Sequence, residues 1–417
     1  MATVPKNDMA IETNIVGARG RFRTRAPKLG HQPALDGIRG YGIIAVLLGH
    51  SFINGWVQSF AAVVDIFFVV SGFLIITLLL EESNKMGSVN LRNFYRRRAL
   101  RLLPVLFLVI GVTLIGTWLI SMWRGNTADA PFPGDISNGG VFELAKQDAL
   151  AGAFYVYHVF HPVGAELAGG SPDLRPLSPL WSLSVEEHFY VFGVLVALLA
   201  IARGFVKHLM TLFALAFVFI ATARLLGFLG PRLAWYQRPD AILLGVMLAF
   251  LNATLPTELS PRFRRNLSRA ATLAALVAAV TFFVGTGFAR PLNVYVSSVP
   301  AEGDSLKDGF YWVEIGFTLV SLSSAVIVLA MARLDKHWLM PILSWKPIRL
   351  VGLRSYAIYL IHVPLLLLLV NAFAGEPVIG LLLYLPALVL TTELTHRYVE
   401  KPMMKSKNRQ PKPVATE

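Results

Sequence analysis

The chain has 417 residues, 55% of them hydrophobic and only 15% charged, with no cysteine and a formal charge of +13. A mean hydropathy of +0.58 excludes an ordinary soluble domain, in which about a quarter of residues are charged, and fits a chain solvated by lipid. Without cysteine there are no disulfides, no zinc–thiolate site and no thiol nucleophile, and the basic residues cluster between apolar runs as topology signals do, not as a nucleic-acid surface does.

Residues 1–33 are polar and basic, contain Pro5, Pro27 and Pro33, and show no signal-peptide pattern. They are expected to form a flexible cytosolic tail. Ten apolar runs follow and read as spanning helices: 40–54, 62–80, 103–120, 181–202, 209–227, 240–251, 270–287, 312–332, 350–370 and 379–394. A span needs about 20 residues, and the first and sixth runs are short and hold polar groups. Charge tests the count. With the N-terminus inside, the cytosolic loops receive Arg96, Arg97, Arg98, Arg203, Arg262, Arg264, Arg265 and Arg349, while the opposite loops are poorer. Ten spans with both termini cytosolic satisfy the positive-inside rule; nine or eleven would misplace a basic cluster. Residues 142–160 are moderately apolar but carry Glu143, Lys146 and Asp148, and they read as an interfacial or re-entrant segment on the outer face. The expected fold is an all-α polytopic membrane protein, with a membrane domain over 34–400 and a basic cytosolic tail over 401–417.

Ionisable groups inside spans are costly and mark pockets or pathways. In the first run Arg39 and His50 are eleven positions apart, which returns to nearly the same helix face about 16 Å away. Asp65 follows the hairpin turn at a depth similar to His50, where a carboxylate would orient the ring and raise its basicity. His50 is then a base for a hydroxyl; the plainer reading of the pair is a buried structural contact. In NFYRRRALRLLP, Arg98 and Arg101 share a helix face and read either as a lipid-headgroup anchor or as a phosphate clamp. WSLSVEEHFY places Glu186 and Glu187 in an apolar run, with Glu186 and Tyr190 on one face. Arg238 and Asp240 stand at the outer end of the sixth run, as substrate contacts or as each other's partner. Ser355, Tyr359 and His362 share a face of the ninth run beside Tyr356, where a structural role competes with substrate binding. Gly72 and Gly245 read as close-packing positions. No histidine spacing suggests a metal.

Taken together, LDGIRG through His50, VDIFFVVSGFLI, NFYRRRALRLLP, WSLSVEEHFY, RPDAILLG, LRSYAIYLIHVP and YVEKP span residues 35–402. In this order they resemble the acyltransferase-3 family of membrane acyltransferases, which modify surface carbohydrates and macrolides. The resemblance implies ten transmembrane helices in a bacterial plasma membrane, and no permanently bound cofactor. It implies acyl-CoA as co-substrate, acetyl-CoA being the commonest reading, and a carbohydrate, glycolipid or macrolide acceptor. It assigns function to Arg39 and His50, to Arg98 and Arg101, and to Glu186. Many members carry an added esterase-like domain, so this chain is expected to act through its membrane domain alone or with a separate extracytoplasmic esterase-like partner. The expected site has His50, Asp65 and Glu186 in catalysis, and Arg39, Arg98 and Arg101 on acyl-CoA. Arg238, Asp240, Tyr190, Tyr356 and His362 are expected on the acceptor. His50 either deprotonates the acceptor or carries the acyl group transiently. The competing class is a transporter or flippase for a polar or lipid-linked substrate, which the buried charges alone would also allow.

Overall fold

In a lipid solvent every backbone N–H and C=O must be satisfied within the chain, so long apolar runs become helices. The computed structural model describes residues 22–50, 62–124, 140–160, 175–226, 239–285, 312–373 and 376–407, and nearly all of them are helical. The first third contains α1 (Pro33–His50), α2 (Val63–Met86), α3 (Leu91–Arg124), α4 (Gly140–Ala153) and the single turn α5 (Tyr157–Phe160). Next, α6 (Leu180–His188) runs through a π-helical turn, Phe189–Gly193, into α7 (Val194–Arg203). Then come α8 (Val206–Leu225), α9 (Asp240–Thr254), α10 (Pro261–Gly285) and α11 (Trp312–Arg333). The chain continues through α12 (Leu339–Leu343), α13 (Lys346–Leu353), α14 (Ser355–Ala372) and α15 (Pro377–Thr395). A second π-helical turn, His396–Glu400, leads into α16 (Lys401–Lys407).

Among the described residues, seven helices are long and apolar enough to cross a membrane, or eight if one bent pair counts as a single span. The chain is therefore an all-α polytopic membrane protein. α1 is not among the seven, and α9 is a shorter apolar helix. The described part of each of the ten expected runs falls on a helix, but the ninth is not straight. Lys346–Leu353 and Ser355–Leu369 meet at 70°, so the expected run 350–370 is broken near its start. The break sits at Arg354, whose guanidinium takes the Leu350 carbonyl (3.1 Å) and Glu393 Oε2 (2.7 Å). A side chain that binds the preceding turn's carbonyl competes with helix continuation there.

α2 is the central helix. Its apolar window is 72% buried, against 22% for α8 and α10, whose exposed Leu212, Phe219, Leu273 and Leu276 face outward as lipid-facing side chains do. α2 lies on α9 where Gly72 approaches the Ile242 carbonyl and Gly245 approaches that of Val69. This is the close packing expected of these glycines. α1 packs on α12 and α13 in the same manner: a Cβ on Gly37 would strike Leu343 and one on Gly352 would strike Asp36.

Two expectations concern flanking chain. Most of the expected N-terminal tail (1–21) lies outside the described residues, but residues 22–32 are tied down. The Arg25 N–H donates to the Ala253 carbonyl (2.8 Å), the Leu29 N–H to Glu81 Oε1 (2.6 Å), and Phe22 meets Phe250 edge to face. Residues 142–160 are not one crossing helix: α4 ends and the chain turns at Tyr155, whose φ of 56° is unusual for a residue other than glycine. The C-terminal residues 408–417 lie outside the described residues.

Candidate functional site

Five elements converge on a cavity of about 120 Å³. α1 contributes Arg39, α2 contributes Phe68 and Ser71, and α3 contributes Arg98 and Arg101. α6 contributes Ser182 and Glu186, with Tyr190 from the π-helical turn, and α14 contributes Ser355, Tyr356 and Tyr359. The π-helical turn begins right after the Glu186–His188 stretch. One extra residue in that turn shifts the register of everything after it. Tyr190, one turn after Glu186 as the sequence spacing expects, meets both Glu186 and Arg98.

At one end of the cavity the charges form a network. Arg98 donates from Nε (3.1 Å) and from a terminal nitrogen (3.0 Å) to Glu187 Oε1, and its guanidinium stacks on the Tyr190 ring. Tyr190 donates its hydroxyl to Glu186 Oε1 at 2.6 Å. Arg39 and Arg101 also line the cavity. Neither makes a hydrogen bond or ion pair among the described residues. The three arginines expected to act alike therefore divide. Arg98 is held by a carboxylate, while Arg39 and Arg101 present unengaged guanidinium groups to the same space. A guanidinium fork suits phosphate oxygens, to which it can bind through two parallel N–H bonds.

Neither His50 nor His362 lines the cavity. Tyr359 separates the cavity from two histidines. Its hydroxyl lies 2.6 Å from Ser182 Oγ and donates to the Pro179 carbonyl at 3.0 Å. Its ring packs on that of His362 with centroids 5.5 Å apart. His362 in turn meets His50 edge to face, centroid to centroid 5.0 Å. His50 Nδ1 lies 3.0 Å from the Val46 carbonyl. A carbonyl only accepts, so Nδ1 carries the proton and Nε2 holds a free lone pair. His50 is thus presented as the tautomer a base requires.

Several expected residues are placed differently. Asp65 is buried in the first turn of α2, and His50 Nδ1 is held by the Val46 carbonyl one helical turn back. The hairpin turn expected near Val57 lies outside the described residues, as does Arg238. Asp240 pairs instead with Arg224, at 3.0 Å and with both side chains buried, and Arg224 also reaches Thr318 (3.2 Å) and the Phe317 ring. A lone arginine in the apolar run 209–227 was the signal for it. Asp240 is not among the residues lining the cavity, so it and the main site are separate. Tyr356 lines the cavity, but its hydroxyl is engaged by the Leu102 carbonyl at 2.8 Å. Sequence reasoning also passed over Glu187 as the partner of Arg98. It missed Tyr155, which the turn after α4 brings within electrostatic reach of Glu187 and Arg98.

A lock outside the spans fixes that turn. Asp148 on α4 accepts from Arg175 Nε (2.7 Å) and from the Leu177 N–H (3.0 Å), with its carboxylate fully buried. Burial pushes the Asp148 carboxyl above the ordinary aspartate range, and Arg175 opposes that shift.

A family described as Acyltransferase domain matches residues 32–394. Among curated proteins the chain is similar to O-acetyltransferase OatA of Staphylococcus aureus (strain NCTC 8325 / PS 47), 27% identical over 89% of this chain and 57% of the relative. It is also similar to peptidoglycan O-acetyltransferase OatA of Listeria monocytogenes serovar 1/2a, 28% identical over 90% of this chain and 56% of the relative. The chain spans little more than half the length of these relatives. No solved structure matches it.

Proposed function

The chain belongs to the acyltransferase family that matches it over residues 32–394, and from that premise we propose that it transfers an acyl group from acyl-CoA to a hydroxyl of a cell-envelope glycan. The names of its relatives, O-acetyltransferase and peptidoglycan O-acetyltransferase, favour acetyl as the group and a carbohydrate as the acceptor. The proposal includes ten spans in a bacterial plasma membrane, with both termini cytosolic. The start of α3 then faces the cytosol, where acyl-CoA is found.

One observation carries the reading: a single cavity has unengaged Arg39 and Arg101 in its wall and, behind Tyr359, a histidine pair that includes His50. The arginines take the donor's phosphates, with Arg98 held beside them by Glu187. The slender pantetheine arm runs along α1 toward His50, a span of about 16 Å between residues eleven apart on that helix. His50 Nε2 accepts the proton of the acceptor hydroxyl, and the oxygen attacks the thioester carbonyl. The tetrahedral oxyanion collapses, the C–S bond breaks, and the departing CoA thiolate takes the proton back. General base assistance of this kind contributes about 10²–10⁴ in rate. Glu186 orients Tyr190 at the cavity wall and serves as a positioning residue.

The test is mass spectrometry on the purified protein in detergent, incubated with isotopically labelled acetyl-CoA and a panel of envelope glycans, with His50→Ala alongside. Label on a glycan that disappears in the variant supports the reading. Label on His50 itself would replace direct transfer with a transient acyl-histidine. No CoA release and no glycan mass gain, together with protein-dependent flux of a glycan across proteoliposomes, would overturn the reading in favour of transport.

A further inference from the structure

His362 is buried on α14 with 0% exposure, and its Nδ1 lies 2.6 Å from the Tyr359 carbonyl. The same reasoning as for His50 applies. A carbonyl cannot donate, so Nδ1 bears the proton and Nε2 is an acceptor. That Nε2 has no hydrogen-bond partner among the described residues. A buried acceptor without a donor is rare in folded proteins and calls for an explanation. Its neighbour is the ring of His50, edge to face at 5.0 Å, and His50 is also an Nδ1–H tautomer with a free Nε2 lone pair. The two rings are therefore in contact, each with an Nε2 acceptor, and that of His362 has no hydrogen-bond partner among the described residues. A proton taken up by His50 would place a donor beside His362.

We infer that His50 and His362 form a proton-sharing pair, in which His362 Nε2 accepts a hydrogen bond from His50 once His50 has taken the proton of the acceptor hydroxyl. This rests on the reading of His50 as the base. The proton balance is simple. The hydroxyl O–H breaks, His50 Nε2–H forms, and that N–H donates to His362 while the oxygen attacks. The same proton then passes to the thiolate, and both rings return to their resting tautomers. His362 touches neither substrate, so it is a positioning residue, acting through the stability of the protonated His50. The other groups about the pair are of a different kind. Tyr359 shares α14, Tyr384 of α15 donates its hydroxyl to the His362 carbonyl at 3.3 Å, and Asp65 stands in the first turn of α2. Arg98, paired with Glu187, lines the cavity together with Tyr359.

Two substitutions separate this role from a structural one, because they preserve opposite ends of the imidazole. His362→Asn keeps a donor where Nδ1 meets the Tyr359 carbonyl and lacks anything at Nε2. His362→Gln reaches the Nε2 position with an acceptor oxygen. Proton sharing requires His362→Asn to lower kcat about tenfold with KM for acetyl-CoA unchanged, and His362→Gln to recover most of that loss. If His362→Asn retains more activity than His362→Gln, or if both raise KM without lowering kcat, the pair is structural and the inference falls. A readout independent of activity is the pH dependence of histidine C2–H exchange in the intact protein, followed by mass spectrometry. A coupled pair titrates in two macroscopic steps, so His50 exchange follows two steps in the unsubstituted protein and one in both variants. A single step in the unsubstituted protein overturns the pair whatever the activity. Two steps together with no acyl transfer would sink the acyltransferase reading and leave the pair standing.

Discussion

The cavity and the histidine pair beyond Tyr359 are built on opposite principles. In the cavity, ionic groups are numerous and partly satisfied: Arg98 has Glu187 and the Tyr190 ring, and Tyr190 has Glu186. The two rings beyond Tyr359 carry no formal charge in their resting tautomers, and the buried one has an acceptor with no partner among the described residues. A satisfied ionic network holds its shape and presents a fixed field to an incoming anion. An unsatisfied neutral pair is poised for a proton. The difference suggests that binding and chemistry are separated along one helix, α1, which carries Arg39 near one end and His50 at the other.

The comparison breaks first at His50. Replacing it with alanine should lower kcat for labelled acetyl transfer by about 10²-fold or more while KM for acetyl-CoA stays within about twofold. If KM rises and kcat does not fall, the cavity and the pair are not separated in function. Next comes Arg98. Arg98→Ala leaves Glu187 largely buried without its partner, and losing one member of a buried pair costs about 3 kcal/mol or more. Thermal unfolding in detergent should register that loss, and adding Glu187→Gln should restore part of it. A variant as stable as the parent would mean that the pair does not hold the cavity wall. Arg101 sharpens the contrast on the same helix, three residues on. It is exposed and unengaged, so Arg101→Ala should leave unfolding unchanged and raise KM for acetyl-CoA about tenfold, as expected for one lost charge-assisted contact to phosphate.

Much of this arrangement is legible in the sequence, because lipid makes the rules severe. Apolar runs became helices since no other element satisfies its backbone there. Glu186 was visible as a charge within a span, Arg39 as a charge at the mouth of one, and Arg98 and Arg101 as a pair on one helix face; all four line one cavity. What was not legible depends on pairing between distant elements. Nothing local says that Glu187 rather than Glu186 binds Arg98, because that choice is made between distant elements, α6 and α3. Periodicity also cannot show that Asp240 meets Arg224 from α8, since that choice is made by helix packing. The bend at Arg354 escaped for a related reason: its hydrophobic neighbours continue the helical pattern, and the break comes from a guanidinium that takes a carbonyl of the preceding turn.

Tyr356 supplies the smallest test of the contrast. The sequence offered it as an acceptor contact, and it does line the cavity. Yet its hydroxyl donates to the Leu102 carbonyl at 2.8 Å, joining α14 to the turn of α3 that carries Arg98 and Arg101. A hydroxyl already engaged with backbone is a brace between helices, and its removal costs about 1 kcal/mol. Tyr356→Phe keeps the ring and the wall of the cavity, so it should lower the unfolding temperature slightly. The looser seat of α3 should then appear as a modest rise in KM for acetyl-CoA, with kcat unchanged. A fall in kcat with no change in stability would place the Tyr356 hydroxyl on the reacting groups instead, and would move the boundary between the binding cavity and the chemical site to α14 itself.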